Sequence, residues 1–191
     1  MGVLKTLADR LCAMAVAVVL SLTCLCESSA ALAAAPTPAQ VEAVFLFNFS
    51  QFVDWPPQAF AAANSPIVIG VLGEDPFGGT LDEVVRGEVV NGRALAVRRF
   101  QSIEQLLDCQ ILFISRTERS RLAPILEKLK GRSILTVSDL EGFARYGGMI
   151  RFVLMDNKIR LRINLEAAKS AGLTLSSKLL RPAQIVSPGE D

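Results

Sequence analysis

Apolar and polar positions fall along this chain in two kinds of block. Largely apolar runs occupy residues 67–72, 109–114 and 134–137, the first without a polar residue. They are rich in β-branched residues, and the first ends at Gly73, so they predict strands buried on both faces. Between them, residues 80–86, 102–107 and 117–129 carry helical spacing. Ser102 and Gln105 stand at capping-box positions, and Gly131 ends the third helix. An earlier helix starts at Thr37-Pro38-Ala39-Gln40, with Thr as N-cap, Pro at the first position and Gln three residues on. It runs to about Val53 and stops before Pro56-Pro57. Asn91-Gly92 marks a hairpin between Val89-Val90 and the strand 94–99, and the polar turn 156–158 marks a second between 152–154 and 159–163. In that last strand Arg160 and Arg162 alternate with Ile159, Leu161 and Ile163, the pattern of a half-exposed or edge strand. Residues 165–171 and 176–180 are a terminal helical stretch.

Strands that alternate with helices predict one three-layer α/β domain. A mostly parallel central sheet carries helices on both faces, with an antiparallel hairpin near the C-terminus. No repeat, low-complexity linker or internal boundary divides residues 34–191. The preceding residues have a different logic. Lys5 and Arg10 come first, then an uncharged run over 11–26, then small residues to Ala35. This is the pattern of a secretory signal peptide, residues 1–33, cleaved between Ala33 and Ala34 and directing the chain to export. The apolar run falls short of the ~20 residues that span a bilayer. An uncleaved membrane anchor is the rival reading.

Composition narrows the chemistry. The chain has 191 residues, 51% of them hydrophobic, and a net charge of +1. That charge offers no general attraction for nucleic acid. Histidine is absent, which removes Ser-His-Asp and Cys-His nucleophiles and imidazole metal sites. Of four cysteines, Cys12, Cys24 and Cys26 lie in the leader. Cys109 is left as a buried small hydrophobe, or else as an intermolecular or redox-sensing thiol. Gly70, Gly73, Gly78 and Gly79 surround the end of the first strand, where open α/β sheets bind ligands. Their spacing is neither a dinucleotide fingerprint nor a phosphate loop, and Glu74-Asp75 would repel phosphate. The neighbouring carboxylates Asp82-Glu83 and Asp139/Glu141 do not form the facing pair that hydrolytic acid/base work needs. The basic stretch Arg116, Arg119, Arg121, Lys128, Lys130 and Arg132 lacks interleaved aromatics, and reads as a solvated face or a patch for an acidic partner. No cofactor, metal or catalytic residue is expected, and the chain is not read as an enzyme.

The first helix is wider in apolar character than one buried face requires. Val41, Val44, Phe45, Phe49, Phe52 and Trp55 follow helical spacing, and Leu46, Phe47 and Val53 fall beside that stripe. Either the helix is sandwiched inside the domain, or part of it meets another protein or a second copy. Phe45, Phe49, Phe52 and Trp55 are therefore the candidate partner interface.

Ordered motifs then carry a resemblance. Phe47-Asn48-Phe49 and Phe52-Val53-Asp54-Trp55-Pro56 are followed by Ile-Gly-Val-Leu-Gly at 69–73 and Val-Asn-Gly-Arg at 90–93. Cys-Gln-Ile-Leu-Phe-Ile-Ser at 109–115, Leu-Thr-Val-Ser-Asp at 135–139 and Gly-Gly-Met-Ile at 147–150 come next. Ile163-Asn164 and Ser-Ser-Lys-Leu-Leu at 176–180 complete the series. In this order they resemble the YfiR-like family of periplasmic regulators. The resemblance implies a repressor that binds the periplasmic portion of an inner-membrane diguanylate cyclase and restrains cyclic-di-GMP synthesis, and with it biofilm regulation. It further implies a homodimer and an outer-membrane lipoprotein able to sequester the repressor. Internal disulfides known in some members are not expected here, since only Cys109 follows the leader. A small-molecule-binding sensor or an uncharacterised α/β enzyme is the alternative.

Overall fold

Thr37 opens the first helix as its sequence predicts. Its Oγ1 accepts from the Gln40 N–H at 3.3 Å while Gln40 Oε1 accepts from the Thr37 N–H at 2.8 Å, and Pro38 fills the first turn. This capping box starts α1 (Pro38–Phe52), which runs directly into β1 (Val53–Asp54). The computed structural model describes residues 35–106, 108–187 and 189. The expected leader and its cleavage point at Ala33 and Ala34 lie outside the described residues. From Pro36 onward the chain is one compact unit.

After β1 come β2 (Ile67–Leu72), α2 (Gly79–Val85), and a hairpin of β3 (Val89–Val90) and β4 (Arg93–Phe100). Then follow β5 (Ile111–Ile114), α3 (Leu122–Leu129), β6 (Leu135–Ser138), and a hairpin of β7 (Ile150–Met155) and β8 (Lys158–Ile163). The chain closes with α4 (Leu165–Ser170), β9 (Thr174–Leu175), α5 (Ser177–Leu180) and β10 (Gln184–Ile185). The main sheet has the order β10-β8-β7-β6-β5-β2-β4-β3. Pairing is parallel from β4 through β7, antiparallel within the two hairpins, and parallel again between β10 and β8. The β1 and β9 strands form a separate antiparallel pair, with Val53 opposite Leu175. Both hairpins turn at left-handed residues, Asn91 and Gly92 (φ 52° and 76°) and Asp156 and Asn157 (φ 49° and 58°), the conformation that tight two-residue hairpins require.

Side-chain alternation along the parallel strands builds two cores. Ile69 and Val71 of β2, Ile111 and Phe113 of β5, and Leu135 and Val137 of β6 belong to the first, with α1, α2, α4 and α5. Val68 and Leu72 of β2, Leu112 and Ile114 of β5, and Cys109 belong to the second, with α3. The expected three-layer α/β architecture with its C-terminal hairpin is thus the observed one.

Two local expectations fail for physical reasons. The helix expected over 102–107 is a single 3-10 turn at Ile103–Gln105. Gln105 Oε1 accepts from the Gln101 N–H rather than completing a capping box on Ser102. The helix expected over 117–129 is divided, with a 3-10 segment at Arg116–Arg121 and α3 beginning only at Leu122. Pro124 explains this: a proline lacks the N–H of a helix interior and is tolerated only in the first turn, so the α-helix starts just ahead of it. Of the two readings of the arginine-rich strand, half-exposed or edge, β8 is the half-exposed one, with β10 paired along Arg162 and Ile163.

Gly148 tests how tightly the second core is packed. A Cβ there would stand 2.3 Å from the ring of Phe143, which is fully buried, whereas one at Gly79 would meet nothing within 4 Å. Gly148→Ala is expected to destabilise by about 1–3 kcal/mol through overpacking, and Gly79→Ala to stay within about 0.5 kcal/mol of the parent. Urea denaturation followed by the single tryptophan measures both.

Candidate functional site

The wide apolar helix resolves into an inner and an outer half. Ala43, Leu46 and Phe49 of α1 are fully buried. Phe49 stacks on Phe152 of β7 with centroids 6.0 Å apart and planes 15° apart, and Phe45 lies 6.2 Å from Phe49 and 5.9 Å from Phe152. Phe49 is therefore core in this structure and offers no surface, against the expectation that all four aromatics present one face. Phe45, Phe52 and Trp55 are half-buried against the same core. Outward lie Val44, 45% exposed, and Phe47, half-buried. Because α1 presents a new side every 100°, residues 44 and 47 share a face that the sheet cannot reach.

Trp55 is held at its polar end. Its indole N–H donates to the Gln110 carbonyl at 3.1 Å. The Gln110 side chain is buried and bonded at both ends, with Oε1 accepting from the Val68 N–H at 2.8 Å and Nε2 donating to the Ala59 carbonyl at 2.7 Å. Gln110 thereby ties the segment after α1 to β2 and to the entrance of β5. Beside it, Cys109 is 3% exposed within the second core, and burial pushes its thiol up to about 12. A thiol so placed is neither ionised nor presented to a partner cysteine.

The carboxyl ends of the parallel strands form a crevice of about 210 Å³ lined by Glu74, Asp75, Pro76, Phe113, Ser115, Arg116, Thr117 and Asp139. Its floor is fixed by short polar links. Thr117 Oγ1 accepts from the Glu74 N–H at 3.2 Å and donates to Ser115 Oγ at 3.3 Å. Gly73, at φ +87°, lets the loop after β2 approach that hydroxyl, where a Cβ would stand 2.6 Å away. Asp75 and Asp82 are both bound by Arg99 of β4, which also donates to the Gly78 carbonyl at 2.9 Å. The Arg99 guanidinium holds the Asp82 carboxyl below its ordinary value. The glycine-rich turn is thus a clamped loop whose acidic residues are partly neutralised.

Asp139 is anchored by Arg116 through Oδ2 at 2.6 Å, while its Oδ1 is buried without a hydrogen-bond partner among the described residues. Glu42 of α1 is only 7% exposed, and its side chain forms no hydrogen bond or ion pair among the described residues. Burial, and then the charge of Asp139, push the Glu42 carboxyl up to about 7, against the pull of Arg116. Sequence reasoning missed Glu42. The available signal was a carboxylate on the buried stripe of α1 that Leu46, Phe49 and Ser50 continue. The other predicted clusters are structural: Arg121 pairs with Glu118 and Lys128 with Glu104, so the basic stretch is largely a paired, solvated face. A larger hollow of about 400 Å³ lies between α3 and α4. There Thr136 Oγ1 already accepts from the Met149 N–H and Asn164 Oδ1 from the Ala167 N–H.

Two measurements follow from this geometry. Native Cys109 is expected to resist a thiol reagent at neutral pH and to react at once in denaturant; rapid labelling of the native chain would contradict its burial. Glu42 has a raised folded-state pKa, so its contribution to stability is complete below its ordinary 4.5 and is lost as pH rises through about 7. Glu42→Gln should flatten the pH dependence of Tm between acid and mildly alkaline pH. It should also stabilise the protein above neutrality by on the order of 2 kcal/mol.

Three comparisons bear on what the chain is. No curated protein matches it. A solved structure that it resembles is an ABC domain in complex with L-Trp from Streptococcus pneumonia, at 13% identity and a TM-score of 0.52. That match covers 78% of this chain and 60% of the other, and it establishes a shared α/β fold. The family model described as YfiR/HmsC-like matches residues 39–184, from the first turn of α1 to β10. The chain belongs to the YfiR/HmsC-like family.

Proposed function

We propose that this protein is a periplasmic regulatory binding protein. It represses an inner-membrane diguanylate cyclase by contact with the cyclase's periplasmic portion, and so lowers cyclic-di-GMP signalling. The observation that carries this reading is the family match across nearly the whole described domain. The leader expected over residues 1–33 agrees with export. A binding protein can hold an enzyme off by preferring one of its conformations, and a preference of about 1–3 kcal/mol shifts its activity severalfold or more.

The outer half of α1 is the surface we assign to that contact. Val44 and Phe47 face away from the sheet, and Phe45, Phe52 and Trp55 form a half-buried aromatic border beside them. Fully buried Phe49 supports this surface from below. Aromatic side chains already fixed on one side lose little freedom on binding, which suits them as anchors. A second copy of the chain and an outer-membrane lipoprotein are the further partners of this reading, and their contact with the same surface would compete with the cyclase.

Val44→Asp and Phe52→Ser test the assignment. Each should leave the circular dichroism spectrum unchanged. Each should weaken binding to the purified periplasmic portion of the cyclase by roughly tenfold or more, the loss of one interface anchor. The control is Val89→Asp on β3, 61% exposed in the wild type and remote in sequence from α1; it should bind as wild type does. Equal affinity for all three variants would remove α1 from the interface.

A further inference from the structure

The β7–β8 hairpin extends beyond the strands that flank it. Among the described residues, β6 pairs with β7 only at Ile150 and Arg151, and β10 pairs with β8 only at Arg162 and Ile163. The four cross-strand pairs from Phe152–Leu161 to Met155–Lys158 therefore have no neighbouring strand on either side. They make a two-stranded ribbon about 13 Å long, at ~3.3 Å per residue. Phe45 and Phe49 of α1 hold its root at Phe152, and Asp156 and Asn157 close its tip in a left-handed turn. Just before that turn come Leu154 and Met155, 55% and 50% exposed. As consecutive strand residues they point to opposite faces of the ribbon. Leu154 lies on the face that carries Phe152 into the first core, and Met155 on the other.

That other face is basic. Arg151, Val153 and Met155 stand opposite Arg162, Arg160 and Lys158. Over residues 150–163 four cations meet a single acid, Asp156 in the turn. Arg162 donates to Gln184 Oε1 at 3.2 Å, whereas Lys158 and Arg160 form no ion pair among the described residues. A hollow of about 210 Å³ adjoins this face, with Arg160, Arg162, Pro182 and Gln184 in its lining and no acidic side chain among the described residues there.

We propose that the β7–β8 hairpin docks the protein on an anionic phospholipid surface, with Leu154 and Met155 entering the interface and Lys158 and Arg160 meeting the lipid phosphates. An apolar tip bordered by cations has the composition of an interfacial membrane anchor. The stems of Lys158 and Arg160 lie along apolar surface while their charged heads reach the phosphates. The two faces of the tip favour this occupant over an acidic protein. A fluid bilayer encloses a narrow projection from both sides, whereas the surface of a folded partner covers one. Each cation near an anionic surface raises affinity about fivefold, and the apolar area at the tip is small. The attachment is therefore weak, reversible and sensitive to salt, and it needs both parts. This surface is independent of the cyclase contact assigned to α1, and either assignment can fail without the other.

The test is co-sedimentation of the purified exported protein with vesicles of equal parts phosphatidylglycerol and phosphatidylcholine, against vesicles of phosphatidylcholine alone. Binding is expected to the first and not to the second, and added salt should weaken it. Lys158→Gln combined with Arg160→Gln should weaken it by roughly twentyfold. Leu154→Ser combined with Met155→Ser should weaken it by roughly tenfold or more. Both pairs alter exposed side chains, so the circular dichroism spectrum should not change. Val89→Asp on β3, at the other edge of the sheet, should bind as the parent does. Soluble poly-glutamate, which has negative charge but no apolar phase, should not displace the vesicles at an equal concentration of charge. The proposal is overturned if the anionic vesicles are not bound, if phosphatidylcholine alone binds equally, or if either double variant binds as the parent does. Displacement by poly-glutamate at equal charge would overturn it in favour of an acidic protein partner.

Discussion

Everything else in this structure depends on α1 closing one face of the sheet. Phe49 on Phe152, with Phe45 against both, joins the first helix to a strand about a hundred residues later in the chain. The cysteine among the described residues, Cys109, is unpaired, so this closure rests on apolar burial and packing rather than on a covalent bridge. Burial returns roughly 25 cal/mol for each Å² of apolar surface removed from water, and buried aromatic rings supply much of that area. Trp55 and Gln110 then fix where the chain leaves the helix, through three hydrogen bonds. A helix held this firmly can expose apolar side chains on its far side without losing its register.

The surface of α1 follows from the same arrangement. Near its middle α1 exposes Val44 and keeps Phe47 half-buried, while Glu42, closer to its N-terminal end, is buried. The crevice is shaped by constraint rather than by flexibility. The loop after β2 is clamped by Arg99, and Gly73 allows it to meet Thr117 closely. Asp139 is positioned by its neighbour Ser138, whose hydroxyl donates to the Ile114 carbonyl and accepts from the Leu140 N–H.

Most of the architecture was legible in the sequence because its signals are local. Continuous β-branched runs marked β2 and β5, Thr37 and Gln40 marked the start of α1, and the Asn91-Gly92 and Asp156-Asn157 turns marked both hairpins. What escaped was nonlocal. The two-residue strands β1, β9 and β10 exist only through their partners, as Val53 does opposite Leu175, and no pattern so short announces itself. The α3 start was misplaced because helical spacing outweighed Pro124. In the site, the aromatic stripe of α1 was visible but its division was not, since which side of Phe49 meets Phe152 depends on the sheet. Glu42 went unread because its burial depends on how α1 packs on the sheet.

The central claim is that α1 shows its outer apolar face to a protein partner while its inner face holds the sheet. A photo-reactive amino acid placed at position 44 in the exported protein, in cells that make the cyclase, tests it most directly. The account predicts a crosslink, identified by mass, to the periplasmic portion of the cyclase, and none from the same group at Leu154 on β7, which is also exposed. Crosslinking from position 154 and not from 44 would contradict it.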